Sequence, residues 1–237
     1  MIEKKIPVDH ILFFDTGWDF PEMHEHIHRI EKYIGKSVTK LSSEKSFEFH
    51  MLEKEVRPIK EKNKARANES GIIIGKGWPN RVYRWCTGIK VDVITKYIKE
   101  NIPSPVECIG YSLDEWHRAQ KLVGNYNSRT FKFPLIEYKM TGRTAIRYCK
   151  EKGFDWGGLY QKRKRVSCFC CPIQSRRELK LVWKEHPYLW QYMLELQKQL
   201  NGKDWRTFAD HGCLDALTQE FEKEQQKENK RAKFFDL

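Results

Sequence analysis

Three of the seven cysteines in this chain lie within four consecutive positions. Cys168, Cys170 and Cys171 belong to the stretch RVSCFCCP, and Cys86 lies far upstream. Two thiolates in a Cys-x-x-Cys spacing, here Cys168 and Cys171, can bind one metal centre because a tight turn brings both sulfurs to the same side. A remote cysteine such as Cys86 then adds a ligand from another element. Spacing alone predicts zinc or an iron–sulfur cluster at Cys168 and Cys171 with Cys86, and buried cysteines without a ligand are the alternative.

Disulfide bonds are a weaker explanation for the crowded cysteines. The N-terminus MIEKKIPVDHILFFDTG lacks the pattern of a secretory signal, and no apolar run approaches the ~18 residues of a membrane span. These features predict a cytoplasmic protein without a membrane partner, in a reducing environment where clustered cysteines more often bind metal than form bridges. Basic residues near the cysteines, QKRKR at 161–165 and Lys90, favour thiolates and an anionic ligand.

Two other stretches suggest chemistry on weaker grounds. HEHIH, from His24 to His28, matches the helical zinc motif H-E-x-x-H, but the glycine and third histidine of its extended form are absent. A solvated helix face rich in histidine and glutamate explains this stretch as well as a metalloprotease does. GKGWPNRVYRWCTGIK combines glycines, arginines and a helix start, which is compatible either with phosphate binding or with a plain Gly/Pro connection.

Composition and charge indicate a globular protein with an anionic partner. Hydrophobic residues make up 40% of the chain and aromatic residues 13%, which excludes a disordered protein. The net charge of +12 favours nucleic acid or phosphorylated small molecules, although a merely basic surface is equally compatible with it.

The elements that position these residues alternate between strands and helices. Strands are expected at Ile11–Phe14, in KSVTKLS and in PVECIGYS, and FKFPLIEY is expected to be extended. Helices are expected from Pro21 to Gly35, in CTGIKVDVITKYIKENI, in LDEWHRAQKLV and in TGRTAIRYCKEKG, whereas residues 51–70 are expected to form an exposed excursion. Asp15, Thr16 and Gly17 follow the first strand, where open α/β sheets place their sites.

This pattern predicts an α/β fold with a largely parallel sheet flanked by helices and a helical C-terminal part. SRRELKLVWKEHPYLWQYMLELQKQL is expected to be helical with a break near Pro187, and the charged C-terminal stretch is expected to be a helix or a frayed tail. The expected division is an α/β domain at residues 1–175, including the cysteine cluster, and a helical extension at residues 176–237.

Four segments together resemble the phosphoadenosine phosphosulfate (PAPS) reductase family of the adenine nucleotide α-hydrolase, or PP-loop, superfamily. These segments are FFDTGWDFPE, RWCTGIK, PLIEYKMT and WGGLYQKRKRVSCFCCP. The resemblance covers most of residues 5–195 and implies an adenine nucleotide α-hydrolase-like fold, an adenine nucleotide (ATP, PAPS or APS) and a four-iron four-sulfur cluster. The cysteine arrangement is similar to that of the branch involved in DNA phosphorothioation and other sulfur transfer. This implies sulfurtransferase or oxidoreductase chemistry, with a sulfur donor protein as a partner and a sulfonucleotide, tRNA or DNA as the substrate.

The resemblance also implies roles for individual residues. The nucleotide would lie near Asp15, Thr16 and Gly17, with Arg84, Thr87 and Lys90 facing its phosphates. Cys86 falls on the second cysteine of the family's Cys-Cys pair, with Trp85 in place of the first. Cys168 and Cys171 fall on the Cys-x-x-Cys, and Cys170 or Cys213 is left as the fourth ligand.

Two departures from the family limit the implied activity. The family's Glu-Cys-Gly motif with its catalytic cysteine has no counterpart at KRAKFFDL, so reduction of a sulfonucleotide by the usual covalent route is not expected. The Ser-Gly-Gly-x-Asp-Ser phosphate loop belongs before the stretch MIEKKIPVDH, so either this chain begins late or a partner supplies that part. ATP turnover by this chain alone is therefore not expected. A non-catalytic nucleic-acid-binding module with zinc at the same cysteines is the alternative function.

Overall fold

The structure, a computed structural model, describes residues 1–57, 67, 69–125, 129–200, 208 and 212–235. Within this part of the chain, six short strands and ten α-helices are assigned. The strands are β1 (Leu12–Phe14), β2 (Thr39–Leu41), β3 (Glu55–Val56), β4 (Ile73–Ile74), β5 (Val106–Cys108) and β6 (Thr130–Lys132).

Up to β6 the helices are interspersed among the strands, with β3 and β4 adjacent in the order of assigned elements, and the later helices follow one another. They are α1 (Pro21–Ile34), α2 (Phe47–Leu52), α3 (Trp85–Asn101), α4 (Trp116–Asn125), α5 (Pro134–Glu137), α6 (Gly142–Glu151), α7 (Leu159–Lys162), α8 (Arg176–Glu185), α9 (Pro187–Gln199) and α10 (Leu214–Phe235). Short 3₁₀ helices span Ile2–Lys4, Leu113–Glu115 and Trp156–Gly158.

The strands form three two-stranded sheets in the described part of the chain. β1 pairs with β2 in parallel, with Phe13 opposite Lys40, and β5 pairs with β6 in parallel, with Glu107 opposite Phe131. β3 and β4 pair antiparallel, with Glu55 opposite Ile74. The mixed α/β character and the short parallel sheets flanked by helices confirm the coarse prediction of fold class.

Most helix boundaries follow local sequence signals. α1 begins at Pro21, a residue suited to a first helical turn, and ends before Gly35, whose φ is 65°. α8 begins with a capping box in which Ser175 and Glu178 satisfy each other's backbone N–H groups. Pro187 starts α9 and separates it from α8, as predicted.

Two expectations from sequence are wrong at particular residues. Met51 is not part of an exposed excursion, because it lies in α2 and is completely buried. PLIEY is not extended, because Pro134 opens the short helix α5 directly after β6. Most of the remaining expected excursion, from residue 58 to residue 66, lies outside the described residues.

The chain divides into two compact units that interleave in sequence. The sheet unit comprises Met1–Phe14, Pro21–Leu41 and Val91–Val166, and it holds both parallel sheets. The cysteine unit comprises Asp15–Phe20, Ser42–Lys90 and Ser167–Leu237. Because segments distant in sequence pack together, these units do not coincide with the expected division at residue 175. No helix in the described part of the chain has both the length and the apolar character needed to cross a membrane.

Candidate metal centre

The cysteine loop, Ser167–Gln174, is a tight turn held by its own backbone. The Cys171 N–H donates to the Cys168 carbonyl at 3.0 Å, and the Gln174 N–H donates to the Cys171 carbonyl at 3.1 Å. This is the turn that the Cys-x-x-Cys spacing predicted. The loop leads directly into Ser175, the N-cap of α8, so its C-terminal end is fixed by a helix.

A buried aromatic side chain anchors the middle of the cysteine loop. Phe169 is 3% exposed, and its N–H donates to the Trp18 carbonyl at 2.9 Å. Its ring lies 6.3 Å from that of Phe20 and 6.1 Å from that of Tyr192, measured between centroids. The loop is therefore attached to the core of the cysteine unit between two of its thiols.

Four of the cysteines come together in this unit. Cys170 is 1% exposed, whereas Cys86, Cys168 and Cys171 keep some accessible surface. Burial raises the pKa of the Cys168 thiol to about 12, with further contributions from Asp19, Cys171 and Cys86. Burial likewise raises the pKa of Cys170, and nearby Cys168, Cys171 and Cys86 raise it further. Each thiolate thus opposes ionisation of the others, and a bound cation would compensate this repulsion.

Cys86 enters the site from the first turn of α3 and is positioned by its neighbours. Trp85 is 5% exposed, and its indole N–H donates to the Gly77 carbonyl at 3.0 Å. The Cys86 pKa is raised by burial, while hydrogen bonds from the Thr87 hydroxyl and backbone lower it, and the Cys171 charge raises it. Trp85 therefore acts as a buried anchor for the segment that carries Cys86.

The four cysteines lie in one region, but among the described residues their side chains are not arranged as a metal site. Within the described residues, no three histidine, cysteine, aspartate or glutamate side chains are arranged to hold a metal ion. The donor set nevertheless fits: four thiols from two segments provide the ligands that iron–sulfur clusters and structural zinc use.

The segment expected to bind nucleotide, Asp15–Gly17, lies against this site. The Thr16 hydroxyl donates to the Asp19 carboxylate at 2.7 Å and lies 3.6 Å from the Cys168 sulfur. The Trp18 N–H donates to the same hydroxyl oxygen at 3.0 Å, and the Gly17 N–H donates to the Asp15 carboxylate at 2.9 Å. Gly17 has a φ of 72°, a conformation that glycine adopts readily.

The expected phosphate-binding residues Arg84, Thr87 and Lys90 are exposed at the start of α3. The Arg84 Nε–H donates to the Arg81 carbonyl at 3.3 Å. A polar turn precedes the helix, in which the Asn80 side-chain oxygen accepts hydrogen bonds from the N–H groups of Val82 and Tyr83. The structure thus places Thr87 and Lys90 on the helix that carries Cys86 and Arg84 directly before it, all within the cysteine unit.

The glycine-rich stretch GKG does not form a phosphate-binding loop. The N–H groups of Gly75, Lys76 and Gly77 donate to the carbonyls of Lys54, His50 and Met51, respectively. These amides therefore serve the C-terminal end of α2 instead of facing a ligand. A Cβ at Gly75 would lie 2.4 Å from the Met51 carbonyl oxygen, which explains the need for glycine there.

The histidine motif HEHIH does not assemble a zinc site in the described part of the chain. His28 approaches Glu31 at 3.6 Å, and His24 contacts the edge of the Phe13 ring. His26 is 6% exposed and packs on Trp156, with 4.8 Å between ring centroids. These residues belong to the outer and inner faces of α1.

Cys213 does not join the cluster of four. The Gln197 side-chain N–H₂ donates to its sulfur at 3.0 Å and to the Asp215 carboxylate at 2.8 Å. The thiol itself donates to Asp215 at 3.2 Å. Of the two alternatives for a fourth ligand, Cys170 is the one that the structure brings to Cys86, Cys168 and Cys171.

Two residues of the site were missed from sequence. The Glu48 carboxylate accepts hydrogen bonds from the Trp18 indole N–H at 2.6 Å and from the Tyr192 hydroxyl. Burial, together with the hydrogen bond to Glu48, raises the pKa of Tyr192 well above its ordinary value. Gln174 is the second missed residue, and its side chain enters the cysteine loop. Neither has a sequence signal: the role of Glu48 depends on packing between segments, and no local pattern marks Gln174 as a loop-holding residue.

Comparison with known proteins gives one distant relative. Over 196 residues the chain is 26% identical to the uncharacterized protein MJ0066 of Methanocaldococcus jannaschii, a match that covers 76% of this chain and 34% of the relative. The chain thus spans about a third of the length of that relative. No protein-family model and no solved structure matches the chain.

Proposed function

We propose that this protein holds an iron–sulfur cluster on Cys86, Cys168, Cys170 and Cys171 and binds an adenine nucleotide beside it, in sulfur transfer or sulfonucleotide metabolism. The observation that carries this proposal is the convergence of Cys86 on the cysteine loop, from a segment far away in sequence. Chance burial of cysteines does not require such convergence. The resemblance to the PAPS reductase family supports the choice of iron over zinc.

The residues of the chain have separate parts in this proposal. Cys86, Cys168 and Cys171 provide thiolate ligands, and Cys170 provides the fourth. A four-iron four-sulfur cluster supplies one-electron chemistry when bound. The core around Phe169 and Tyr192 keeps water from one side of the site, since Cys170 is almost completely buried there.

The nucleotide half of the proposal depends on the N-terminal part of α3. Arg84, directly before the helix, and Lys90, in its second turn, are exposed, and the N-terminus of a 17-residue helix favours anions such as phosphate. Asp15 and Gly17 lie in the loop that contacts Cys168 through Thr16, so a nucleotide at this loop would be next to the metal centre. A sulfur donor protein and a tRNA or DNA acceptor are the partners that this chemistry requires.

A second candidate is a nucleic-acid-binding module with zinc at the same four cysteines. The net charge of +12 favours it, because a basic surface binds phosphate backbones without any catalytic group. Zinc accepts the same thiolate ligands. Steep weakening of tRNA or DNA binding with salt would accompany this function.

The deciding experiment is metal and sulfide analysis of protein purified without oxygen, together with its visible absorption spectrum. About four irons and four sulfides per chain with broad absorption near ~400 nm are expected. One zinc per chain, no sulfide and no colour would favour the nucleic-acid-binding module. Absence of any bound metal after reconstitution with iron and sulfide, and separately with zinc, would reject both.

The nucleotide is tested separately by calorimetric titration of the loaded protein with ATP, APS and PAPS. Substitution of Arg84 and Lys90 by alanine is expected to weaken binding, since both side chains would face phosphates. Arg177, an exposed arginine on α8 of the same unit, is the matched control, and Arg177→Ala should bind like wild type.

A further inference from the structure

The side chain of Gln174 occupies the centre of the cysteine loop. It is buried, with 5% of the residue exposed. Its amide N–H₂ lies 2.8 Å from the Phe169 carbonyl oxygen, 3.2 Å from that of Cys171 and 3.3 Å from that of Cys168. One side chain therefore contacts the backbone of both cysteines of the Cys-x-x-Cys and of the residue between them that anchors the loop.

These contacts fix how the loop is oriented. Buried carbonyl groups require hydrogen-bond donors, and the Gln174 amide offers two N–H groups shared among three acceptors. Because the three carbonyls converge on this amide, the peptide planes that flank Cys168 and Cys171 are held by one buried group. The direction of each Cα–Cβ bond, and hence the position of each sulfur, follows from those planes.

We propose that Gln174 is the positioning residue of the metal centre, which it preorganises by holding the backbone of the Cys-x-x-Cys turn. The inference rests on the metal-binding part of the proposed function and is independent of which metal is native. Outer residues that orient metal ligands commonly change metal affinity by about 10–100-fold when they are substituted. Gln174 has no need to contact the metal itself.

The test uses Co²⁺ as the probe, titrated into the reduced, metal-free full-length chain. Thiolate-to-cobalt charge-transfer bands and visible d–d bands report the number and geometry of sulfur ligands. Gln174→Met removes both donors while it keeps the length of the side chain. We expect this variant to bind Co²⁺ about 10–100-fold more weakly, with altered d–d bands.

Gln197→Met is the matched control. Gln197 is also a buried glutamine of the cysteine unit, 8% exposed, and its amide accepts from the Leu214 N–H and donates to Asp215. It makes no hydrogen bond to the cysteine loop among the bonds observed. We expect Gln197→Met to lower the stability of the fold but to keep the wild-type cobalt affinity and spectrum.

A milder substitution covers the case in which Gln174→Met does not fold. Gln174→Asn keeps the amide and withdraws it by one methylene, and it should weaken Co²⁺ binding less than loss of the amide does.

Equal cobalt affinities and spectra for wild type and a folded Gln174 variant would overturn the inference and leave the metal centre intact. Equal weakening in the Gln174 and Gln197 variants would also overturn it, because the effect would then be general loss of stability. Failure of the wild-type chain to bind Co²⁺ would reject the metal centre and this inference together.

Discussion

The two units differ sharply in how much hydrophobic core they have. In the sheet unit, the buried hydrophobic residues among those described are Phe14, Ile27, Ala119 and Leu159. The cysteine unit encloses many large side chains almost completely: Trp18, Phe20, Met51, Trp78, Leu179, Val182, Met193, Phe208, Leu214 and Phe221. The strands lie mostly in the sparsely packed unit, and the candidate site lies in the densely packed one.

This difference shows where a precise site can be held. Metal and ligand sites need side chains whose positions are locked by packing and by surrounding hydrogen bonds. Glu48 joins Trp18 and Tyr192 in a hydrogen-bonded network, and both of these residues contact Phe169, the buried anchor of the cysteine loop. In the sheet unit, the two-stranded sheets are short, and two-stranded sheets have little independent stability. We therefore expect the sheet unit to open more readily than the cysteine unit.

The largest expected effect separates the cysteines of the two units. Cys168→Ser and Cys171→Ser should each abolish stoichiometric metal binding, because each removes a thiolate of the Cys-x-x-Cys. Cys108→Ser and Cys149→Ser alter cysteines of the sheet unit and should leave the metal content unchanged. Iron, zinc and sulfide content of anaerobically purified variants checks this. Full metal content in both Cys168 and Cys171 variants would refute the ligand assignment.

The second prediction compares the two cores by deletion of a leucine side chain. Leu179 in α8 is completely buried, so Leu179→Ala should cost about 2–5 kcal/mol of unfolding free energy. Leu159 in α7 is 6% exposed and has few buried neighbours in its unit, so Leu159→Ala should cost less than Leu179→Ala because its surroundings can relax. Urea unfolding followed by circular dichroism measures both. A larger loss at Leu159 would contradict the ranking of the two cores.

Sequence predicted the elements better than it predicted the packing. Pro21, Gly35 and Pro187 mark helix ends by local rules, and these boundaries were confirmed. The partnership of β3 with β4 and the use of the Gly75–Gly77 amides by α2 depend on contacts between segments, which local patterns do not encode. The cysteine spacing pointed to the loop, whereas Glu48 and the contact of Thr16 with Cys168 depend on contacts between segments and could not be derived from it. Gln174 lies in the loop itself, but no local pattern distinguishes its role.

A third, smaller effect compares two threonines that each hold a loop. Thr16→Val removes the hydroxyl that donates to Asp19 and lies beside Cys168, and it should cost about 1–3 kcal/mol and weaken metal retention. Thr141→Val removes the N-cap of α6 in the sheet unit and should cost about 1 kcal/mol without any effect on metal. Metal loss to a chelator and urea unfolding give the two readouts. Thr16→Ser keeps the hydroxyl and should restore retention, and failure of that rescue would show that the methyl group matters instead.

The smallest predicted effect concerns acid and His26 in the sheet unit. Burial lowers the pKa of His26 below its ordinary value of 6.5, Arg29 lowers it further, and Asp155 opposes both. The folded state therefore binds this proton less readily than the unfolded state does. As the pH falls through 6.5, the unfolded chain becomes protonated first, so stability is lost on acidification until the folded-state pKa is reached.

His26→Phe keeps a ring against Phe154 and Trp156 and removes the proton-binding group. The urea midpoint of the variant should therefore fall less than that of wild type between about pH 7.5 and 5.5. Identical falls in the urea midpoint would show that groups other than His26 govern the acid response. His50 of the cysteine unit is one such group, because burial and the charges of Lys76 and Lys54 lower its pKa. In that case the urea midpoint of His50→Phe should fall less than that of wild type.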